Sequence, residues 1–196
     1  TRYLERATLV AIAGGTRSAA LAQEYGVSHE PSVDALIARD DIDAVLISTP
    51  PADHAEQAIA AATHGKHVLL DKPMATTVAD CDRVIQAARA ANVRLMIMFG
   101  QRFRICNLTA HRLIREGAIG DVRMIEERIL ASGGLGSLPP WQGESRHGGT
   151  FLGHAVHNID RIRWLTGAEI TSVSAQVQRD PARGNEVSTM ALLALS

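Results

Sequence analysis

The chain has 196 residues, of which 46% are hydrophobic and 21% are charged, and its formal net charge is -1. This apolar fraction is typical of a globular protein with a buried core and excludes a disordered chain. The balanced charge disfavours nucleic acid and membranes as partners, because anionic partners are bound mainly through an excess of Lys and Arg. No apolar run approaches the roughly 18 residues that a membrane span needs.

The cysteines and the N-terminal residues indicate the cellular compartment. Cys81 and Cys106 are the only cysteines. Two isolated cysteines make neither a disulfide framework nor a zinc site, so we interpret them as reduced residues used as small apolar side chains. The sequence does not open with the charged and then apolar segments of a signal peptide. These features predict a cytoplasmic protein.

The first half of the chain alternates short apolar runs with amphipathic segments. The runs are unbroken, as in parallel strands buried on both faces, and cover residues 8–13, 44–47, 68–70 and 95–99. Apolar residues at helical spacing predict helices over residues 18–25, after Ser32, and over 55–62 and 81–88. Gly26 and Gly65 are expected to end helices, and Thr77 with Asp80 to begin one. This alternation predicts βαβ units and a doubly wound parallel sheet.

The second half changes character near Arg102. Helices are predicted over residues 108–116 and 155–165, ended by Gly117 and Gly167. Strands are predicted over residues 122–130, 170–177 and 187–195, and residues 133–149, with six glycines and two prolines, are predicted to be a loop. We therefore predict two domains in an α/β chain: residues 1–102 around a parallel sheet, and residues 103–196 as an α+β domain with an open, largely antiparallel sheet.

Polar or constrained residues follow three of the predicted strands, at residues 48–54, 71–74 and 100–103. A doubly wound sheet binds its ligands at the carboxyl ends of its strands, so these clusters are candidate site segments. Lys72 lies between a buried strand and a proline, which holds its backbone rigidly. Ordinary turn chemistry at Ser48–Pro50 with a helix cap at Asp53, and an exposed loop lysine, remain the alternatives.

The same clusters resemble the Gfo/Idh/MocA oxidoreductases. The matching sequences are Ser-Thr-Pro-Pro-Ala-Asp-His at 48–54, Gly-Lys-His-Val-Leu-Leu-Asp-Lys-Pro-Met-Ala at 65–75, Gly-Gly-Thr at 148–150, His-Asn-Ile-Asp at 157–160 and Trp-Leu-Thr-Gly at 164–167. The resemblance covers the whole chain in the same order. It implies a Rossmann domain followed by an open-faced α/β domain, with NAD or NADP between them. It also implies oxidation of a sugar or cyclitol hydroxyl, or reduction of the corresponding ketone.

The resemblance implies roles for single residues. Lys72 and His157 are expected to be catalytic, His157 as the acid–base group and Lys72 as a donor to the substrate oxygen. Trp141, His154 and His157 are expected on the substrate side, with loop packing as the alternative for Trp141. The residues expected to contact the cofactor lie at the strand ends and in the turn that follows Phe99: Gly14, Thr16, Arg17, Ser48, Thr49, Pro50, His54, Asp71, Lys72, Gln101 and Arg102.

Three departures from the family pattern refine these expectations. No Gly-x-Gly-x-x-Gly turn precedes the first run and the sequence stops within a strand, so we expect an internal fragment that lacks the N-terminal strand and turn and the C-terminal part. Gly14 stands where an acidic residue usually takes the adenosine ribose, and Thr16 and Arg17 follow it. Donors without an acid predict a preference for NADP, with a solvated Arg17 after a helix cap as the alternative. Gly153 stands where the family often has Asp, four residues before His157.

The histidines and Asp160 also allow other interpretations. A metal site at His154, His157 and Asp160 is disfavoured because no further ligand has suitable spacing, and Asp160 is expected to tie down its helix. Two other functions remain open: a member that uses bound cofactor transiently for elimination or glycoside cleavage, and a cofactor-binding protein without activity. A small-molecule substrate is expected, although no residue singles one out. The resemblance also implies a homo-oligomer, since dimers through the truncated sheet are usual for such relatives.

Overall fold

The computed structural model describes residues 6–129, 144–179, 181 and 186–196. Contacts divide the chain into two compact units, Thr1–Ile97 and Met98–Ser196. The strands of the first unit are β1 (Ala11–Ala13), β2 (Ser28–Glu30), β3 (Ala44–Ile47), β4 (His67–Asp71) and β5 (Leu95–Met98), which ends at the division. Its helices are α1 (Ser18–Tyr25), α2 (Val33–Ile37), α3 (Pro51–Thr63) and α4 (Val78–Ala90).

The second unit contains two longer helices and two long strands. They are α5 (Ile105–Arg115), α6 (Gly149–Thr166), β6 (Ile170–Arg179) and β7 (Glu186–Leu195), with single 3-10 turns at Gly100–Phe103 and Ser145–His147. No helix in the described part of the chain is both long enough and apolar enough to cross a membrane.

Strand pairing confirms the predicted fold class. β1 pairs in parallel with β2, and β3 pairs in parallel with β4, whereas β6 pairs antiparallel with β7. The strand order is β1-β2 in one sheet and β3-β4-β5 in another. Among the described residues, the parallel strands therefore form two separate sheets that share one core.

The core of the first unit lies between the parallel strands and α3. Ala55, Ala58 and Ala61 of α3 are buried in the same cluster as Val45 and Leu70 of β3 and β4. Helix α3 forms readily because alanine has the highest helix propensity and a proline is tolerated at the first helical position. Its small side chains let the helix approach the strands closely, and each buried Val or Leu contributes about 1.5–3 kcal/mol.

The prediction that the apolar strands are buried on both faces is wrong for β3. Val45 and Ile47 are buried, but the alternate residue Leu46 is 58% exposed, and Met96 of β5 is 52% exposed. Helix α3 covers one face of β3, and no described element covers the other. Unbroken apolar runs indicate strands, but the covering of each face depends on elements elsewhere in the fold.

Most helix ends lie where local signals predict them. Gly26 adopts a left-handed conformation at the end of α1, and Gly65 follows α3 with φ of 73°. Thr77 begins α4, and its Oγ1 accepts a hydrogen bond from the Asp80 N–H at 3.1 Å. The Ser32 hydroxyl caps α2 in the same way by accepting from the Ala35 N–H. These confirm the predicted boundaries.

Two predictions in the second unit are wrong. Helix α6 begins at Gly149, whereas we predicted its start at residue 155. Residues 122–129 form no strand, and Leu130 lies outside the described residues. Strand composition alone does not make a strand, because each strand needs a neighbour that accepts and donates its backbone hydrogen bonds. The predicted loop at 133–149 lies mostly outside the described residues, and its last part forms the turn at Ser145–His147.

Both cysteines are free thiols. Cys81 is half-buried against the core, and this burial raises the pKa of its thiol. Cys106 is exposed, so its predicted use as a packed apolar side chain is wrong. It is the second residue of α5, a helix in which no residue is buried.

Replacing Thr77 with Ala should lower the free energy of unfolding by about 1 kcal/mol, because the first turn of α4 loses its side-chain cap. Urea denaturation followed by far-UV circular dichroism measures the change. Thr76→Ala is the matched control, because Thr76 makes no hydrogen bond with the described residues. Equal destabilisation by the two variants would contradict the capping role.

Candidate functional site

Two of the sequence clusters meet at the carboxyl ends of β3 and β4. The parallel register pairs Ile47 with Leu70, so both strands end at the same level. Directly beyond, the Ser48 hydroxyl donates to Asp71 Oδ2 at 3.4 Å. Asp71 Oδ1 accepts the Lys72 backbone N–H at 2.8 Å. The Asp71 carboxylate thus contacts the loop after β3 and orders the loop that carries Lys72.

The His54 side chain contacts the backbone of the same two loops. It lies in the first turn of α3 and is only 1% exposed. Its Nδ1 lies 2.8 Å from the Pro73 carbonyl oxygen, and its Nε2 lies 2.8 Å from the Thr49 carbonyl oxygen. The peptide bond between Lys72 and Pro73 is cis. His54 was predicted to contact the cofactor, whereas both of its ring nitrogens face backbone atoms here.

Sequence reasoning missed one neighbour of this site. The Thr49 hydroxyl donates to Gln57 Oε1 at 2.8 Å. Gln57 follows His54 by three positions on α3, and residues three apart lie on the same face of a helix. That spacing was the only signal in the sequence that Gln57 belongs with the loop after β3.

The turn after β1 is formed by Gly14 and Gly15 and exposes the two predicted donors. Both glycines have positive φ, 75° and 68°, a conformation that other residues rarely adopt. Thr16 and Arg17 are exposed, and the Arg17 side chain makes no hydrogen bond or ion pair with the described residues.

A buried hydroxyl holds this turn in place. Ser18, the first residue of α1, is 7% exposed and donates through Oγ to the Gly15 carbonyl at 3.1 Å. The same oxygen lies 3.0 Å from Nε2 of His29 on β2. Because a hydroxyl has a single hydrogen, Ser18 accepts from His29 when it donates to Gly15. His29 was not singled out by the sequence analysis.

In the second unit, His157 and His154 lie one turn apart on α6. The His157 ring packs edge-on against Phe99, with ring centroids 6.4 Å apart and an interplanar angle of 79°. A Cβ atom at Gly153 would meet nothing within 4 Å. The backbone therefore leaves space for the first side-chain atom at the position where the family often has Asp.

Arg102 anchors the same helix through a bidentate salt bridge with Asp160. Arg102 Nε and Nη2 donate to the two carboxylate oxygens at 2.8 and 2.5 Å, and Asp160 is 7% exposed. This contact raises the pKa of Arg102. The guanidinium also lies 5.7 Å from the Phe99 ring and 5.8 Å from the Trp164 ring, which stacks on His111. Asp160 ties down α6, as expected, and its partner is a residue that was predicted to contact the cofactor.

The remaining predicted site residues are Pro50, Gln101 and Trp141. Pro50 caps α3, and Gln101 lies in the 3-10 turn, where its carbonyl accepts from Asn107 Nδ2 at 2.7 Å. Trp141 lies outside the described residues. Within the described ranges, no three His, Cys, Asp or Glu side chains are grouped to hold a metal ion.

The two units match the two parts of one protein family. Residues 2–99 match the description "Oxidoreductase family, NAD-binding Rossmann fold", and residues 107–196 match "GFO/IDH/MocA C-terminal domain". The chain belongs to the Gfo/Idh/MocA oxidoreductase family. The family assignment confirms the resemblance and with it the Rossmann fold of the first domain.

Named relatives differ in the reactions they catalyse. The chain is 37% identical over 172 residues to 1,5-anhydro-D-fructose reductase of Ensifer adhaerens, covering 81% of this chain and 49% of that protein. It is 30% identical over 179 residues to 2,7-anhydro-N-acetylneuraminate hydratase of Mediterraneibacter gnavus, covering 88% and 47%. Scyllo-inositol dehydrogenase from Lactobacillus casei has a similar structure, with a TM-score of 0.81, 29% identity and coverage of 98% and 59%. The chain thus spans about half the length of the curated relatives it matches.

Replacing Arg102 with Met should lower the free energy of unfolding by about 1–3 kcal/mol, because the buried Asp160 carboxylate loses its charged donor. Arg112→Met is the matched control. Arg112 pairs with Glu116 on α5, and the two side chains are 60% and 53% exposed. Such a surface pair contributes about 0–1 kcal/mol. Urea denaturation of the full-length protein measures both; a larger loss for Arg112→Met would contradict the anchoring of α6 by Arg102.

Proposed function

We propose that this chain forms the cofactor-binding and substrate-contacting parts of an NAD(P)-dependent oxidoreductase that acts on CH–OH groups of a sugar, a cyclitol or a related small diol. One observation carries the proposal: the loops that bear Thr49 and Lys72 meet at the carboxyl ends of β3 and β4 in a domain of this family. The reductase and dehydrogenase relatives support the reaction class. In this proposal residues 1–102 hold the cofactor and residues 103–196 contact the substrate.

The residues after β1 fit the adenosine end of the cofactor. Gly14 and Gly15 have no side chains, and a Cβ at Gly15 would meet nothing within 4 Å, so the backbone is open to close approach. Thr16 and Arg17 are exposed donors beside it. A guanidinium binds phosphate through paired, charge-assisted hydrogen bonds, so this turn suits the 2′-phosphate of NADP better than the free hydroxyl of NAD.

In this proposal Lys72 binds the substrate oxygen and His157 accepts or returns the substrate proton. A bound nicotinamide supplies the hydride acceptor or donor. The Lys72 ammonium donates a hydrogen bond to the substrate oxygen and stabilises the negative charge that develops there. His157 takes the hydroxyl proton in oxidation and returns it in ketone reduction. Phe99 packs against the edge of the His157 ring, and Arg102 with Asp160 holds the helix beneath it.

A second candidate function is favoured by one specific comparison. The hydratase relative is 30% identical to this chain and matches over 88% of it. An enzyme of that kind would use a bound cofactor without consuming it. Net oxidation of added NADPH, followed at 340 nm with a ketose or inosose, separates the two: sustained oxidation supports the oxidoreductase, and product without oxidation supports elimination.

Replacing His157 with Ala should lower kcat by about 10²–10⁴-fold, because general acid–base catalysis contributes on that order. Lys72→Met keeps the side-chain length, removes the charge and should lose a similar factor. Because both groups serve one step, the double variant should be far less than multiplicatively worse. The measurement is single-turnover hydride transfer in the full-length protein with saturating cofactor and a responsive polyol.

The control for the catalytic variants is His64→Ala. His64 is an exposed histidine at the end of α3, and its removal should leave the rate at the parental value. A His157→Ala rate above half of the parental rate would exclude His157 as the proton acceptor and favour the cofactor-binding protein without activity.

The full-length protein should bind NADP about tenfold or more tightly than NAD, since a charge-assisted hydrogen bond contributes about 1.5–3 kcal/mol. Arg17→Ala should remove most of this preference and leave the affinity for NAD nearly unchanged. Isothermal titration calorimetry measures the four dissociation constants. Arg6→Ala, which changes another exposed arginine of the first unit, controls for net charge. Equal affinities of the parent protein for NADP and NAD would refute the assignment.

A further inference from the structure

His54 is a buried polar side chain with two backbone partners on different loops. Its two ring nitrogens each lie 2.8 Å from a carbonyl oxygen, Pro73 on one side and Thr49 on the other. A carbonyl oxygen only accepts hydrogen bonds, so each hydrogen bond here needs a ring N–H, and a neutral imidazole has one such group. The imidazole therefore spans the distance between the loop after β3 and the loop after β4.

Another direct polar link between these loops, from Ser48 to Asp71, is weaker. Ser48 Oγ and Asp71 Oδ2 are 3.4 Å apart, and Ser48 is exposed to water. The His54 contacts are 0.6 Å shorter (3.4 against 2.8 Å), and the ring is 1% exposed. Buried hydrogen bonds compete less with water, and a buried carbonyl left without a donor is destabilising. His54 is thus the stronger of the two links.

The ring is itself held by a rigid element. His54 belongs to the first turn of α3, whose alanines pack into the core against β3 and β4. A side chain on a packed helix is placed more accurately than one on a loop. We therefore expect a change at His54 to act on the two loops more than on the packed helix.

We propose that His54 is a positioning residue that sets the spacing between the loop bearing Thr49 and the loop bearing Lys72. Its Nε2 contact places the Thr49 segment, and its Nδ1 contact places the Lys72–Pro73 segment. This inference rests on the proposed function, in which Thr49 contacts the cofactor and Lys72 donates to the substrate. The Nε2 contact should therefore affect cofactor affinity, and the Nδ1 contact should affect kcat.

Three substitutions separate the two contacts. In His54→Asn the side-chain amide has the reach of Nδ1 and retains a donor toward the Pro73 carbonyl. In His54→Gln the amide has the reach of Nε2 and retains a donor toward the Thr49 carbonyl. His54→Phe keeps an aromatic ring and removes both ring nitrogens. All three are studied in the full-length protein, with thermal denaturation to show that each variant is folded.

The expected result is opposite effects of the two amides. His54→Asn should weaken cofactor binding by about tenfold and keep kcat within about threefold, since losing one hydrogen bond has an effect of this size. His54→Gln should lower kcat by about tenfold and leave the cofactor dissociation constant nearly unchanged. His54→Phe should show both losses.

The matched control is His64 on the same helix. It is exposed, and its Nδ1 lies 2.9 Å from the Ala60 carbonyl. His64→Asn and His64→Gln should leave both parameters at their parental values. If the His54 variants lower the melting temperature but leave kcat and cofactor affinity of the folded protein unchanged, or if Asn and Gln have the same effects, His54 is a core residue only and the proposal is overturned.

Lys72→Met, measured beside these variants, distinguishes failure of this inference from failure of the proposed function. A parental kcat in Lys72→Met would remove Lys72 from the mechanism. Calorimetry of cofactor binding then decides the role of His54: weaker binding in His54→Asn than in His54→Gln supports it, and equal binding overturns it.

Discussion

The parallel register between β3 and β4 is the constraint on which the candidate site depends. Val45 pairs with Val68 and Ile47 with Leu70, and all four side chains are buried in the core that α3 covers. A shift of either strand by one residue would turn its buried side chains toward water. The hydrophobic core thus fixes the register, and the register in turn brings the polar residues after the two strands together.

The two units stabilise their candidate residues by different interactions. In the first, an imidazole contacts two backbone carbonyls without an ion pair, through His54. In the second, Arg102 and Asp160 form a charged pair, and the carboxylate is largely buried. Removing one partner of a buried ion pair leaves an uncompensated charge in the protein. A hydrogen bond from a ring to a carbonyl involves no such pair, and salt screens it less than it screens two charges. Both interactions connect candidate site segments to a helix: the loops after β3 and β4 to α3, and the turn that contains Arg102 to α6.

Family membership determines the cofactor class more closely than the reaction. A reductase and a hydratase are both among the relatives, with 37% and 30% identity to this chain. The NAD-binding Rossmann fold is common to the family, so we expect differences in chemistry to arise from the groups that surround the substrate. In this chain those candidates are Gly153, His154 and His157 on α6, together with Trp141.

The sequence by itself determined those features that depend on neighbouring residues. Helix ends at Gly26 and Gly65, the cap at Thr77 and the parallel strands follow from backbone preferences and local spacing, and all agree with the structure. The motif around Lys72 was sufficient to indicate the family. These signals are local, since a turn or a cap is decided by the few residues that form it.

Only the tertiary structure decided which residues meet across the chain. It placed His54 between two carbonyls, paired Arg102 with a carboxylate 58 residues away, and left one face of β3 exposed. It also began α6 six residues earlier than the apolar spacing predicted, and formed no strand over residues 122–129. Burial, strand pairing and ion pairing depend on groups that are distant in sequence and become neighbours only when the core packs. A pattern in one segment therefore cannot specify them.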